Sequence, residues 1–249
     1  MAKSLHDSIT KDYLRTTSAL RQNADESHYQ QSSRGLLRRL APWLPKKCES
    51  SCLDLGCGTG ELVYTLESQG YSNVTGVDLC TDNILLGQKF VKGALVNSDA
   101  LTFLRNQGSS CFDFVTALNF IEHLSDDDLY DVFKEILRVL KPGGTFVAMV
   151  PNGLSPFSGV TRYWDITHKW AFTPNSFRQI ASLVGFSNRI DFRECRPIIH
   201  GFTSALRYSL WQALRVVIAA WFLIEVADTK DFVYTMDIMV RFHAPEEKA

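Results

Sequence analysis

Almost no net charge remains on this sequence: 26 Lys and Arg stand against 27 Asp and Glu, a formal net charge of −1 over 249 residues. That balance argues against nucleic acid as a partner, which needs a basic face. The most basic short stretch, Arg34 to Arg39, reads as the wet side of an amphipathic helix. Metal-ligand spacing is missing too. Six cysteines fall at 48, 52, 57, 80, 111 and 195, and no second pair completes a site with Cys48 and Cys52. No metal is expected, and the thiols read as free in a reducing cytoplasm. The opening residues, MAKSLHDSITKDYL, hold no apolar stretch of the kind a secretory signal requires. A run of ~20 apolar residues, the length of a spanning helix, is also absent. Tyr208 to Ile224 comes nearest, with Arg215 as its single charge and nine wholly apolar residues from Val216. A core or interface helix is the first reading of that segment; a membrane-surface helix is the second.

What is present is ordinary globular usage, 45% hydrophobic and 21% charged, enough for one large domain with additions. Residues 1–45 lean helical and end in the rhythm Leu36, Leu37, Leu40, Trp43, predicting an N-terminal helical cap. From about residue 50 a regular alternation sets in. Strands are predicted at 52–55, 73–79, 93–97, 112–118 and 144–150, and helices at 61–68, from Thr81 or Asp82 to about 90, and 126–140. Lys141-Pro142-Gly143-Gly144 breaks the last helix from the last of these strands. A further helix, capped by Thr173 or Asn175, runs to Val184, and strands follow at 190–195 and 233–242. Such alternation calls for parallel strands with helices on both faces, and for ligands at the strands' carboxyl ends. Residues 46–249 read as one domain, with a cofactor-binding half to residue 151 and an acceptor-side half from 152.

The strongest local signal is Leu53-Asp54-Leu55-Gly56-Cys57-Gly58-Thr59-Gly60-Glu61, a strand ending in a glycine turn before a helix. Glycine allows left-handed backbone and close approach of a ligand. Dinucleotide sites space their glycines as G-x-G-x-x-G, which would put glycine where Glu61 stands. An acid there repels a pyrophosphate on the helix N-terminus, whereas an amino-acid tail with a sulfonium centre suits it. Asp78 ends the second strand, placed to accept from ribose hydroxyls. Asp99 follows the third strand, placed for an adenine amino group, and Asn119 ends the fourth.

The runs LDLGCGTGE, VTGVDL, SDA, FDFVTALNFIEHL and LKPGG together resemble the ordered motifs of the class I S-adenosylmethionine-dependent methyltransferases, over residues 50 to 151. The resemblance implies an α/β, doubly wound, Rossmann-like sheet of seven strands, mostly parallel with the last antiparallel, and S-adenosylmethionine as cofactor. Carried over, Gly56, Gly58 and Gly60 line the methionine moiety and Asp54 orients the turn. Asp78 with Leu79 holds the ribose, Asp99 with Ala100 the adenine, and Asn119 lies near the sulfur.

For the acceptor side, His123 lies four residues beyond Asn119. His168 sits with Tyr163, Trp164 and Asp165 in an aromatic loop after the fifth strand. His168, His123 and Asp165 are the candidate catalytic groups, because a hydroxyl acceptor needs a base within hydrogen-bond reach. Trp164 to Phe186 resembles bacterial methyltransferases of glycan and lipid biosynthesis. A small or lipid-linked acceptor is expected, with a sugar hydroxyl first. N- or C-methylation, a nucleotide-dependent oxidoreductase and a non-catalytic scaffold remain the alternatives. The 208–224 helix is expected in the core, in a homodimer or on a membrane beside such a substrate, which puts the protein in the cytoplasm or at its membrane face.

Overall fold

Strand and helix alternate in the computed structural model as the sequence predicts, and residues 25–226 and 232–246 are described. β1 (Ser51–Leu55), β2 (Asn73–Asp78), β3 (Ala94–Asn97), β4 (Phe112–Leu118), β5 (Leu140–Pro151), β6 (Ile190–Glu194) and β7 (Asp237–His243) make one seven-stranded sheet. Its order is β3-β2-β1-β4-β5-β7-β6. β7 runs antiparallel to β5 and to β6, while the pairs among β1 to β5 are parallel. Chain direction across the sheet reverses between β1 and β4, so a crevice opens at their carboxyl ends.

The helices are α1 (Glu26–Leu40), α2 (Glu61–Ser68), α3 (Thr81–Gly87), α4 (Ala100–Arg105), α5 (Asp126–Val139), α6 (Ser158–Arg162), α7 (Pro174–Val184) and α8 (Phe202–Val226). α5 shows why such segments fold as they do. Ser125 caps it by accepting from the Asp128 N–H at 3.2 Å, three aspartates occupy its first turn and Arg138 its last, complementing the helix dipole. Leu129, Val132, Phe133, Ile136 and Val139 recur at helical spacing and are all buried. They meet a sheet face on which Phe146 and Phe242 stack at 5.5 Å with Phe133 edge-on to both. The opposite face packs Tyr29, Leu62, Val63 and Leu66 against Phe114 and Val147.

Several expectations need correction. Neither Thr81 nor Asp82 caps α3: Cys80 holds the cap position without a side-chain bond, and Thr81 Oγ1 donates to Asn97 Oδ1 at 2.9 Å instead. α4 and α6 were not foreseen, being too short for periodicity to register. β5 begins at Leu140 rather than 144. The Lys-Pro-Gly-Gly step is a register shift against β4, with Gly143 at φ +71°. β7 starts at Asp237, not 233. The apolar helix, too short to span when read from its uninterrupted run, extends over 25 residues, and by length and composition it is sufficient to cross a membrane. Of the predicted N-terminal cap, residues 1–24 lie outside the described residues; α1 supplies the remainder.

Candidate active site

The glycine turn after β1 takes its shape from left-handed backbone: Gly56, Gly58 and Gly60 have φ of +67°, +57° and +86°. A Cβ on Gly56 would stand 2.6 Å from the Phe120 ring, so only glycine lets the β1 and β4 ends approach this closely. Gly56 and Gly58 face a cleft of about 1530 Å³. Gly60 does not line it: it is the N-cap of α2 and abuts Val91 and Leu95, so its role is packing.

Asp78 locks this turn. Its Oδ2 accepts from the Gly58 N–H at 2.9 Å, and its Oδ1 accepts from the Cys80 N–H at 2.8 Å and from Asn83 at 3.1 Å. Asp54 is buried and accepts from Thr116 Oγ1 at 2.7 Å. Burial, reinforced by Glu61 and Asp78, pushes its carboxyl up to about 7 despite that bond. Asp99 caps α4 through the Thr102 N–H at 2.8 Å and still lines the cleft, as do Leu79 and Ala100. Asn119 follows β4 at φ +53°, a left-handed backbone that asparagine adopts more readily than most side-chain-bearing residues. Four acids, Asp54, Glu61, Asp78 and Asp99, thus line this half of the cleft. They suit a cationic, hydroxyl-rich ligand and oppose a pyrophosphate.

α1 supplies another wall. Tyr29 donates its hydroxyl to the Thr59 carbonyl at 2.7 Å, and Tyr64 donates to Glu26 at 2.6 Å, which pins the helix against the glycine turn and α2. Ser32, Leu36 and Arg39 then face the cleft.

The acceptor half brings both candidate histidines together, with ring centroids 4.8 Å apart. His168 Nδ1 lies 2.9 Å from the Thr161 carbonyl, which can only accept, so the proton sits on Nδ1 and Nε2 is the basic nitrogen. The Thr167 hydroxyl donates to Asp165 Oδ1 at 2.6 Å and therefore accepts from His123 Nδ1 at 2.7 Å. Burial works against the Asp165 anion, but its bonds to Thr167 and the two nearby imidazoles hold its carboxyl below the ordinary range.

Glu122, which the sequence reading passed over beside His123, lies between these groups. It is fully buried, and neither carboxylate oxygen has a hydrogen-bond partner among the described residues. Burial, with Asp237 and Asp165 adding to it, pushes its carboxyl up to about 8. Its Oε1 is 4.0 Å from His168 Nε2, and its carbonyl accepts from the Lys169 and Trp170 N–H groups. Glu122, His123 and His168 thereby gather ligand-capable atoms within 4.8 Å, a cluster that cysteine spacing could not disclose. Arg39 and Asp237 were missed as well and complete the wall. Tyr163 and Trp164, by contrast, stand 78% and 83% exposed.

Residues 53–148 match the family model described as Methyltransferase domain. The chain is 33% identical over 111 residues to the putative methyltransferase YqeM of Bacillus subtilis, covering 41% of each chain. It is also 33% identical over 96 residues to the ubiquinone biosynthesis O-methyltransferase of Idiomarina loihiensis, covering 37% of this chain and 38% of that one. These matches span only about two fifths of the curated relatives' length. Among solved structures, a SAM-dependent methyltransferase from Archaeoglobus fulgidus superposes with a TM-score of 0.64 at 23% identity, over 94% of this chain and 97% of that one. The ordered motifs, the sheet order and the acid-lined glycine turn coincide in one place: residues 53–148 match the methyltransferase domain, on the fold of a SAM-dependent methyltransferase.

Proposed function

We propose that the protein is an O-methyltransferase that moves the methyl group of S-adenosylmethionine to a hydroxyl of a small or lipid-linked acceptor. A sugar hydroxyl is the first class to test, and the reaction is placed in the cytoplasm or at its membrane face. The observation that carries this reading is the fixed tautomer of His168, whose basic Nε2 belongs to the wall of the cofactor cleft. The bound cofactor supplies a methyl group already activated by a neighbouring sulfonium charge. The residues of the chain have to bind, align and accept one proton, and alignment alone contributes roughly 7–11 kcal/mol in well-oriented systems. Asp78 accepts from the ribose hydroxyls, Asp99 and Ala100 flank the adenine, and Gly56, Gly58 and Asn119 bring backbone against the methionine end. His168 Nε2 takes the proton of the acceptor hydroxyl. Asp165, through Thr167, fixes the ring of His123 alongside.

Incubation with methyl-labelled cofactor and a panel of free sugars, lipid-linked glycans and amines tests the reading. Label in an O-methyl group supports it; label on nitrogen or carbon overturns the hydroxyl assignment. Asp78→Ala is expected to weaken S-adenosylhomocysteine binding about 10- to 100-fold by calorimetry, the scale of a lost charged hydrogen-bond partner. Equal binding by this variant would remove Asp78 from the cofactor site. Gly56→Ala should also lose binding and melt lower. Its left-handed φ alone costs an alanine about 1–2 kcal/mol, before the contact with Phe120. Unchanged binding and melting would show that the Phe120 ring swings aside.

A further inference from the structure

Surface helices of globular proteins turn their polar stripe outward; α8 is apolar on both sides, with Ile218 buried and Phe222 packed inward and a longer apolar stripe left outside. Towards the protein it presents Arg215, ion-paired with Glu194 at 3.3 Å and lying 5.4 Å over the Tyr234 ring, and Gln212, which donates to the Tyr208 hydroxyl at 2.9 Å. Away from the protein, Leu210, Leu214, Val217, Trp221 and Ile224 follow one another at helical spacing and are 62%, 46%, 65%, 64% and 86% exposed. The Trp221 indole N–H donates to Glu225 at 3.0 Å within the helix, so that flank presents no unmet donor there. Contiguous apolar exposure of this kind marks an interaction surface.

Charge favours an anionic surface as the occupant. Beside Tyr208 of α8, a pocket of about 280 Å³ is lined by Arg38, Arg39, Arg193 and Arg196. The one acid on its wall, Glu194, is already engaged by Arg215. Guanidinium groups grouped around a small pocket match phosphate oxygens in charge and geometry. A spanning helix is opposed by the ion pair at Arg215 and by the packing of Phe222 on Phe232 and Tyr234, which commit one flank to the domain.

We propose that α8 rests on an anionic bilayer, its apolar flank among the acyl chains and the arginine pocket on a lipid phosphate. Arg39 also lines the main cleft, so the membrane contact adjoins the acceptor half. The inference deepens the lipid-linked acceptor reading and rests on it for its meaning, but its test is independent of it.

Flotation of the purified chain with vesicles tests it, since aggregated protein does not float. The wild type is expected to rise with phosphatidylcholine–phosphatidylglycerol vesicles and to rise less with phosphatidylcholine alone. Leu210→Glu combined with Val217→Glu should abolish flotation on both. Arg38→Ala combined with Arg196→Ala should lower partition on the anionic vesicles by roughly tenfold or more, with little change on neutral ones. S-adenosylhomocysteine binding should survive in every variant, showing that fold and cofactor site are intact. A wild type that binds cofactor yet floats with neither vesicle overturns the membrane surface. So does a homodimer in light scattering that the Leu210→Glu, Val217→Glu pair splits. Normal flotation with no transfer to any lipid-linked acceptor leaves this surface standing and removes the acceptor reading alone.

Discussion

His168→Gln is expected to lower kcat by about two to four orders of magnitude, the range of a positioned general base, with S-adenosylhomocysteine binding unchanged. The imidazole has little freedom to be replaced by a neighbour. Nδ1 is committed to the Thr161 carbonyl, and Arg162 donates to the carbonyls of His168 and Lys169, so the loop is tied down on both sides of the ring. Glutamine keeps polarity and approximate length but offers no basic nitrogen. His123→Gln should cost less, because that ring is held through Thr167 to Asp165 and sits edge-on to His168. Single-turnover kinetics with labelled cofactor separates the two variants. The reverse ranking exchanges their roles, and full activity in both points to an acceptor that needs no base.

Glu122→Gln should raise the melting temperature at pH 8 by roughly 10–20 °C and change it little at pH 5. Glu122 titrates at about 8 in the fold against 4.5 in the open chain. Below pH 4.5 both states hold the proton and the group contributes no difference. Between 4.5 and 8 the unfolded chain has released its proton while the folded protein retains it, so stability falls as pH rises, by about 1.4 kcal/mol per unit. The total is of the order of a few kcal/mol. Glutamine copies the neutral acid and removes this dependence. Melting curves at the two pH values check it: an equal shift at both would mean that the carboxyl is not held protonated. The activity of the same variant carries separate information, since Glu122 Oε1 lies 4.0 Å from the His168 nitrogen assigned as base.

The cofactor half of the site was legible in the sequence because its signals are local. Gly56, Gly58, Asp78, Asp99 and Asn119 each lie at or just beyond a strand end, and a strand end can be recognised within a few residues. Gly60 was misplaced because spacing alone does not say which glycine faces a ligand and which faces Val91. The acceptor half depends on topology. Arg39 closes α1, Glu122 sits in a three-residue turn after β4, His168 follows α6 and Asp237 opens β7. No window of sequence contains them together. Periodicity also identified α8 without revealing its direction. It locates an apolar stripe but not which way that stripe turns, and here the buried stripe is the one carrying Arg215.

β7 lies between β5 and β6, yet it follows both in the chain. A ribosome delivers about 5–20 residues per second, so β5 emerges early and waits as an open edge, and β6 has no strand neighbour among the described residues until residues 237–243 arrive. The apolar α8 leaves the exit tunnel inside that interval, ahead of the strand that completes the sheet. For about 1–3 s of each synthesis cycle the nascent chain therefore exposes an unpaired strand and a lipophilic helix together. Chaperone capture or early bilayer contact in that window would suppress aggregation.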